Sequence, residues 1–484
     1  MGSDTRQLSV FFFPLMAQGH TIPMIDIARL FAARGTKSTI ITTPLNAIHF
    51  ADSIDRDKKS GLDMRIQIIP FPCVEAGLPE GCESMDDLTS PDMVLTFFLN
   101  LYRFQEPLER LLEEHRPDCI VADMFLPWTT DAAKKYGVPR LVFHGTSTFS
   151  LCVVDNIVRY APELKVTSDS EVFVLPSFPG QIEFKRSQLG NRGDSQNPFT
   201  ELKKKISETE LTSFGVVVNS FYELEPAYVD HYKEEMRRKT WNIGPVSLSN
   251  RNTINKAHRG RKATIDEHHY INWLNSKEHN SVLYVSFGSM SRFNTAQLLE
   301  IAMGLESSKV SFIWVVRMDK TKAEELFLPE GFEERMKGKG LIIKDWAPQM
   351  LILDHPAIGG FMTHCGWNSI LEGITAGVPF ITWPLFAEQF NNEKLVIQVL
   401  KTGIPVGNEV WILWIEPEDV SVTKDKVEEA VTRLMGKGEE AGDMRQRARE
   451  LGERAKQAVE EGGSSYTELT SLIEELRVHS QQIV

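Results

Sequence analysis

The chain has 484 residues, too many for a single compact core, so its length predicts two domains. Hydrophobic residues make up 42% and charged residues 25% of the composition, the proportions of an ordinary globular protein. The 66 acidic residues outnumber the 53 basic ones and give a net charge of −13. Such a surface repels phosphate backbones, which excludes nucleic acid as an expected partner.

The cysteines and the apolar runs bear on the compartment. No apolar run approaches the roughly 20 residues that span a bilayer, and the first residues lack a basic region followed by a cleavage site. The five cysteines are widely spaced and form no CxxC pair, which is typical of reduced thiols. We therefore expect a cytoplasmic protein with no signal peptide and no integral membrane segment.

The first half of the chain alternates short apolar runs with helical patterns. It predicts a helix at 22–35 and strands at 8–14, 38–43, 65–70, 118–123, 140–145 and 215–220. Continuous β-branched runs separated by helices indicate a parallel sheet covered on both faces. The stretch 165–212 has no clear period, and we interpret it as a variable loop with short helices.

A second series of the same kind predicts strands at 281–287, 311–317, 340–346, 357–364 and 378–384. The polar segment between the two series suits an exposed linker, and we interpret its basic cluster of Arg259, Arg261 and Lys262 as a solvated face. The predicted parts are an N-terminal domain, a linker, a C-terminal domain and a last amphipathic helix, at 1–240, 241–266, 267–462 and 463–484. The predicted fold is α/β, with two doubly wound Rossmann-like domains facing a cleft.

The most informative stretch is 346–389, which we call the signature segment. It contains a Trp after a strand, a His at the end of an apolar strand, a helix start, a Glu one turn later and a closing Glu-Gln pair. This segment resembles the signature of plant UDP-dependent glycosyltransferases, which attach sugars to small secondary metabolites. The resemblance implies the GT-B architecture, with the last helix crossing back onto the first domain.

The needs of a UDP-sugar can be matched to these residues. Uracil requires a stacking surface and a backbone hydrogen-bonding edge, which Trp346 and Ala347 can supply. The pyrophosphate requires a helix N-terminus with free N–H groups and donor side chains, and Gly366, Asn368 and Ser369 form one. Ser289, in the loop after a predicted strand, is a second candidate near the phosphates.

Other roles are implied by the resemblance alone. Gln349 and Glu372 hold the places of the ribose ligands, and His364 resembles the side chain that meets a phosphate. Glu388 and Gln389 stand where the family binds the sugar hydroxyls, and Thr146 resembles the residue near the 6-hydroxyl. A terminal Gln, together with Trp367 where some glucuronic-acid users carry Arg, points to UDP-glucose. Galactose and glucuronic acid stay open as alternative donor sugars.

The candidate catalytic pair is His20 and Asp123. His20 lies in the predicted turn after the first strand and Asp123 ends another strand, so both reach the carboxyl edge of one sheet. Imidazole suits a base near neutral pH, and a carboxylate bonded to one ring nitrogen fixes its tautomer. The pair matches the family's His base and Asp helper, which implies direct displacement with inversion and a β-glucoside product.

No metal and no other cofactor is expected, because the only D-x-D, at Asp55 and Asp57, lies in a charged run away from any strand end. The expected partners are the UDP-sugar and a hydrophobic small-molecule acceptor, and we expect a monomer. A flavonoid, triterpenoid or steroid carrying a hydroxyl or carboxyl fits the resemblance. A non-catalytic UDP-sugar or metabolite binder on the same fold stays open as a second class.

Overall fold

The computed structural model describes residues 6–190, 198–250, 256–257, 259–261, 264–317, 328–413 and 419–483. Two parallel sheets form its frame. The first half of the chain holds strands β1 to β9, which are Ser9–Phe13, Lys37–Thr42, Met64–Ile68, Cys119–Asp123, Arg140–Phe143, Val172–Val174, Glu183–Lys185, Gly215–Val218 and Thr240–Asn242. Seven of them lie in the order β3-β2-β1-β4-β5-β8-β9, and β6 and β7 form a separate antiparallel hairpin.

The second sheet has six parallel strands. They are β10 to β15, at Val282–Ser286, Ser311–Val316, Gly340–Lys344, Ile358–Thr363, Phe380–Thr382 and Gly403–Pro405. Their order is β12-β11-β10-β13-β14-β15. Both sheets are therefore doubly wound, with a switch of direction beside their first strand.

Helices connect the strands. In chain order α1 to α9 are Gln18–Ala32, Pro44–Ile48, Ala51–Lys59, Pro91–Asn100, Gln105–His115, Thr129–Lys135, Thr148–Tyr160, Pro198–Thr212 and Pro226–Asp230. In the second half α10 to α18 are Glu267–Asn275, Thr295–Ser308, Phe332–Arg335, Gln349–Leu353, Trp367–Ala376, Gln389–Lys394, Lys424–Met435, Glu439–Val459 and Ser464–Ile483. None of the described helices is long and apolar enough to cross a bilayer.

Strand β1 shows why the first sheet is covered on both faces. Phe11 and Phe13 pack into a core with residues of α4 and α5, whereas Val10 and Phe12 pack into another with residues of α1 and α18. Side chains of a strand point alternately to opposite faces, so an unbroken apolar run must be buried on both. All four side chains are at most 2% exposed.

The strand order decides where functional groups meet. In the first sheet β1 lies between β2 and β4, so the segment after β1 meets the end of β4. In the second sheet β10 lies between β11 and β13, so the segments after β10 and β13 meet in the same way. Ligands of doubly wound sheets bind at these switch points.

Several elements differ from the expectation. Helix α1 begins at Gln18, not near residue 22, so His20 lies in its first turn and not in a preceding loop. The stretch interpreted as a variable loop contains the hairpin of β6 and β7 and the 15-residue helix α8. Strand β9 pairs with β8 and carries the first sheet to Asn242, two residues into the predicted linker. The three-residue strand β15 has no counterpart in the prediction.

The last helix, α18, packs against the first sheet although it follows helices of the second half. Its buried residues share the cluster that contains Val10 and Phe12, and they are Leu469, Leu472, Ile473 and Leu476. Polar contacts reinforce this packing, since Arg34 donates to Thr470 Oγ1 at 2.6 Å and its guanidinium lies 3.9 Å from the centre of the Tyr466 ring.

Candidate active site

His20 and Asp123 meet at the switch point of the first sheet. Nδ1 of His20 lies 2.7 Å from Oδ2 of Asp123, and Oδ1 of Asp123 accepts the backbone N–H of Phe125 at 3.0 Å. Asp123 is fully buried, whereas the His20 side chain keeps 22% of its surface exposed. A carboxylate on Nδ1 favours the tautomer with its proton there, which leaves Nε2 free to accept one.

The surroundings of His20 favour its protonated form. Burial acting alone lowers the pKa of the imidazole, but Asp123 raises it through charge and hydrogen bonding, and Glu388 and Asp86 add to the effect. The pKa therefore lies above its ordinary value. His20 is therefore a stronger proton acceptor than a free imidazole, which suits the predicted role of a general base.

A hydrogen bond links helix α1, which carries His20, to the C-terminal domain. Pro23 lies inside α1 and has no N–H to donate to the carbonyl of Gly19 four residues earlier. That carbonyl accepts from Nδ2 of Asn368 instead, at 2.7 Å. Asn368, predicted to bind the pyrophosphate, thus contacts the first domain through its amide nitrogen. Its Oδ1 is buried and has no hydrogen-bond partner in the described part of the chain.

The switch point of the second sheet brings together the predicted phosphate ligands. Strand β13 ends at Thr363, His364 follows, and α14 begins with Gly366 as its N-cap. The His364 ring lies between two glycines, since a Cβ on Gly288 would stand 2.6 Å from its Nε2 and a Cβ on Gly366 only 2.4 Å away. Burial lowers the pKa of His364 to about 4, so the ring is neutral near pH 7.

The residues predicted for uridine lie together at one end of the cleft. Nε2 of Gln349 donates to Oε2 of Glu372 at 2.8 Å and to Oγ of Ser369 at 3.2 Å. Trp346 is half-buried and Ala347 is buried. The other oxygen of Glu372 is paired with the guanidinium of Arg259, a contact that the linker prediction missed.

The residues predicted for the sugar have individual hydrogen bonds of their own. Oε1 of Gln389 accepts the backbone N–H groups of Leu385 and Phe386 at 2.8 and 3.1 Å, which leaves its amide NH₂ to donate to a ligand. The Trp367 indole is buried and donates to the Asn219 carbonyl at 2.7 Å, so it joins the two domains.

Two further predicted sugar contacts, Glu388 and Thr146, lie near His20. Burial raises the pKa of Glu388, and a backbone hydrogen bond and the nearby His20 offset part of that rise. Thr146 is buried, and its hydroxyl makes no hydrogen bond within the described residues. Its neighbour Gly145 lies against the His20 ring, because a Cβ there would stand 3.5 Å from Nδ1.

One cleft of about 630 Å³ unites these groups. Its lining includes every predicted site residue except Asp123 and Thr146, namely His20, Ser289, Trp346, Ala347, Gln349, His364, Gly366, Trp367, Asn368, Ser369, Glu372, Glu388 and Gln389. It also includes Arg259 and Arg261, which the sequence pattern assigned to a solvated face. That interpretation is wrong for Arg259, whose side chain is only 8% exposed, while Lys262 lies outside the described residues. The basic composition of this segment was the one sequence signal for these residues, but it does not reveal the carboxylates that pair with Arg259.

Two doubly wound domains that face one cleft form the GT-B architecture, which this chain shares with solved glycosyltransferase structures. The family described as UDP-glucoronosyl and UDP-glucosyl transferase matches residues 198–405. Scopoletin glucosyltransferase of Nicotiana tabacum is 51% identical over 476 residues, 98% of this chain and 99% of the relative. The chain therefore belongs to this family of UDP-glycosyltransferases, enzymes that use a UDP-sugar donor and a small-molecule acceptor.

Two other relatives illustrate the range of the family. UDP-glucose flavonoid 3-O-glucosyltransferase 7 of Fragaria ananassa is 51% identical, over 97% of this chain and 96% of its own. The crystal structure of Glycyrrhiza uralensis UGT73P12, complexed with glycyrrhetinic acid 3-O-monoglucuronide, superposes with a TM-score of 0.92 at 44% identity. That match covers 99% of this chain and 97% of the other.

Proposed function

We propose that this enzyme transfers glucose from UDP-glucose, with inversion, to a hydroxyl or carboxyl of a hydrophobic plant secondary metabolite. The observation that carries the proposal is the 2.7 Å contact of Asp123 with His20, which lines the same cleft as the predicted donor residues of the signature segment. Transfer requires both a base for the acceptor and a site for the UDP-sugar. A cleft with only one of the two would favour a binding protein.

In the proposed reaction His20 accepts the proton of the acceptor hydroxyl at Nε2. The acceptor oxygen forms a bond to C1 of the sugar while the bond from C1 to the diphosphate oxygen breaks, and UDP leaves with that electron pair. Asp123 stabilises the imidazolium and holds the ring in place. Attack opposite the leaving group inverts the configuration, so an α-linked donor gives a β-glucoside.

For the donor, we propose that each predicted residue keeps its role. Trp346 and Ala347 hold uracil, Gln349 and Glu372 the ribose, and the start of α14 with His364 and Ser289 the diphosphate. A helix N-terminus stabilises a leaving anion, so we propose that no metal is required. The sugar is held by Thr146, Glu388 and Gln389, and the names of the relatives from Nicotiana and Fragaria support glucose.

For the acceptor, the aromatic side chains beside His20 favour a hydrophobic ligand. The Phe125 ring lies 5.7 Å from the His20 ring, and Phe98 contacts both Phe125 and Phe199. The names of the relatives above give scopoletin, a flavonoid and glycyrrhetinic acid 3-O-monoglucuronide as their acceptors or bound ligand. We propose an acceptor of the flavonoid or triterpenoid and steroid classes, bound by a domain at 1–240, and a monomeric cytoplasmic enzyme.

The test combines an acceptor screen with one substitution. UDP-glucose is incubated with flavonoids, triterpenoids and steroids, and products are identified by mass spectrometry as additions of one hexose. His20→Ala is expected to lower transfer by about a hundredfold or more because the general base is lost. It should leave UDP-glucose binding unchanged.

Two outcomes would contradict the proposal. Transfer by His20→Ala at the wild-type rate would rule out His20 as the base. A folded wild-type protein that binds UDP but does not convert UDP-glucose to free UDP with any acceptor would be a binding protein and not an enzyme.

A further inference from the structure

Arg259 and Thr264, two residues of the predicted linker, line the same cleft as Trp346 and Glu372. The Arg259 side chain is only 8% exposed, and its Nε donates to Oδ2 of Asp26 in α1 at 2.8 Å. Its Nη1 is paired with Oε1 of Glu372 in α14. One linker guanidinium therefore joins a carboxylate of each domain. Burial acting alone lowers its pKa, but the two carboxylates raise it above the ordinary value, so the group stays charged.

The residues around Arg259 lie beside the predicted uracil and ribose ligands. A Cβ on Gly260 would stand 2.6 Å from Cζ2 of Trp346 and 2.9 Å from Cδ1 of Ile22. The Thr264 backbone N–H donates to the carbonyl of Trp346 at 3.1 Å. Gly260 and Thr264 are thus placed against Trp346, and Arg259 against Glu372.

The two carboxylates depend on Arg259 to different extents. Oδ1 of Asp26 also accepts from Arg29 at 2.8 Å and from Asn250 at 2.9 Å. For Glu372 the structure gives one further side-chain bond within the described residues, from Gln349 to Oε2. Loss of Arg259 therefore changes the position of Glu372 more than that of Asp26. A carboxylate oxygen has two acceptor sites, so each oxygen of Glu372 can still accept from a ribose hydroxyl.

We infer that Arg259 is a positioning residue of the donor site, which holds the Glu372 carboxylate in place and aimed at the ribose hydroxyls of the UDP-sugar. The inference rests on the proposed role of Glu372 in that site. It gives the linker a part in donor recognition beyond that of a connection between domains.

The experiment measures binding of two ligands by calorimetry. UDP carries both ribose hydroxyls, and 2′,3′-dideoxy-UDP carries neither. Arg259→Ala is expected to weaken UDP binding by about tenfold or more, the effect of losing a charged hydrogen bond, and to leave binding of the dideoxy ligand unchanged. Arg259→Lys keeps the charge but cannot donate in two directions from a planar group, so it should lose part of the preference for UDP. If Arg259→Ala does not fold, the comparison of the two ligands is made with Arg259→Lys.

Two further variants complete the design. Lys185→Ala removes an ion pair with Glu409 that joins the domains at 2.7 Å outside the cleft lining, and it should bind both ligands as the wild type does. Glu372→Gln should lower the preference for UDP, because the amide keeps one acceptor oxygen but loses the charge, and Arg259→Ala added to it should have little extra effect because the two residues act as one unit.

The outcomes test the role of Arg259 separately from the proposed role of Glu372 as a ribose ligand. If Glu372→Gln lowers the preference for UDP but both Arg259 variants keep it, or if Arg259→Ala weakens both ligands equally, the inference is wrong while the donor site stands. If Glu372→Gln discriminates between the ligands as the wild type does, Glu372 is not the ribose ligand. In that case the proposed donor contact fails together with the inference.

Discussion

Pro23 accounts for a hydrogen bond between the two domains, which is accepted by one backbone carbonyl beside His20. A proline inside a helix leaves one carbonyl without its usual donor, which costs stability if that carbonyl stays unpaired. Here the carbonyl belongs to Gly19, directly before His20, and its donor is Asn368 in the first turn of α14. The missing helical bond is replaced by one between the domains, and that bond holds the proposed base next to the proposed diphosphate site.

The pH dependence of transfer follows from the His20–Asp123 contact. Because the pKa of His20 is raised, the ring is protonated, and cannot act as a base, up to a higher pH than an ordinary histidine. Asp123→Asn removes the charge that raises this pKa. We expect the acid limb of the kcat/KM profile to move to lower pH, while the plateau falls by about a hundredfold or more because the ring orientation is lost.

Asp118→Asn is the matched control for this prediction. Asp118 lies just before the opposite end of the same strand, β4, and accepts from the backbone N–H of Ser9 at 2.8 Å. Its substitution should leave both the acid limb and the plateau unchanged. An Asp123→Asn profile that keeps the wild-type acid limb would show that another group controls the titration.

At the scale of elements, the start of α14 depends on the absence of a side chain at Gly366. The N-cap has φ −59° and ψ 138°, which any residue can adopt, so glycine is not required by the backbone. It is required by space, since a Cβ would stand 2.4 Å from Nε2 of His364. Gly366→Ala should displace the His364 ring and weaken UDP binding by about tenfold, or ~1.4 kcal/mol.

Gly438→Ala tests whether this loss is specific to the site. Gly438 is the N-cap of α17, with a similar φ of −71°, and a Cβ there would meet nothing within 4 Å. The two substitutions therefore change the helix cap in the same way but differ in the clash. Equal UDP affinities in titrations of both variants would contradict the role given to His364.

The strands show which elements the sequence can predict. Long apolar runs such as those of β1, β4 and β13 are buried on both faces, and each lies within a predicted range. Helix α8 was missed because its mostly polar sequence has no clear apolar stripe. One of its anchors is Glu210, which accepts from the buried Tyr232 at 2.9 Å and from Arg238. Such contacts connect distant parts of the chain and leave no periodic pattern.

The candidate site was likewise predictable from the sequence only in part. His20, Asp123 and the signature segment could be found from residue types at strand ends and from resemblance, and the structure brings most of them into one cleft. The pairing of Arg259 with Glu372 joins residues 113 positions apart, and no local rule predicts it. The sequence also left open which atoms are already hydrogen-bonded, such as Oε1 of Gln389.

At the scale of the whole molecule, α18 connects the end of the chain to the first sheet. It follows α17, which packs on the second domain, and its apolar stripe completes the core that contains β1 and α1. Lys233 and Lys239 of the first half form ion pairs with Glu468 and Glu475 of this helix, at 2.7 and 2.5 Å. The first core is therefore incomplete without the last residues of the chain, and its stability should respond to changes there.

Leu472→Ala tests this dependence directly. Leu472 is fully buried in the first core, and truncating such a leucine removes its apolar contacts and leaves a cavity. The expected loss is about 2–5 kcal/mol in the free energy of unfolding, measured by urea denaturation. Val478 lies on the same helix with 55% of its surface exposed, so Val478→Ala should change stability by less than about 0.5 kcal/mol. Equal stabilities of the two variants would show that the first core does not need α18, and the helix would then be only an attached end of the second domain.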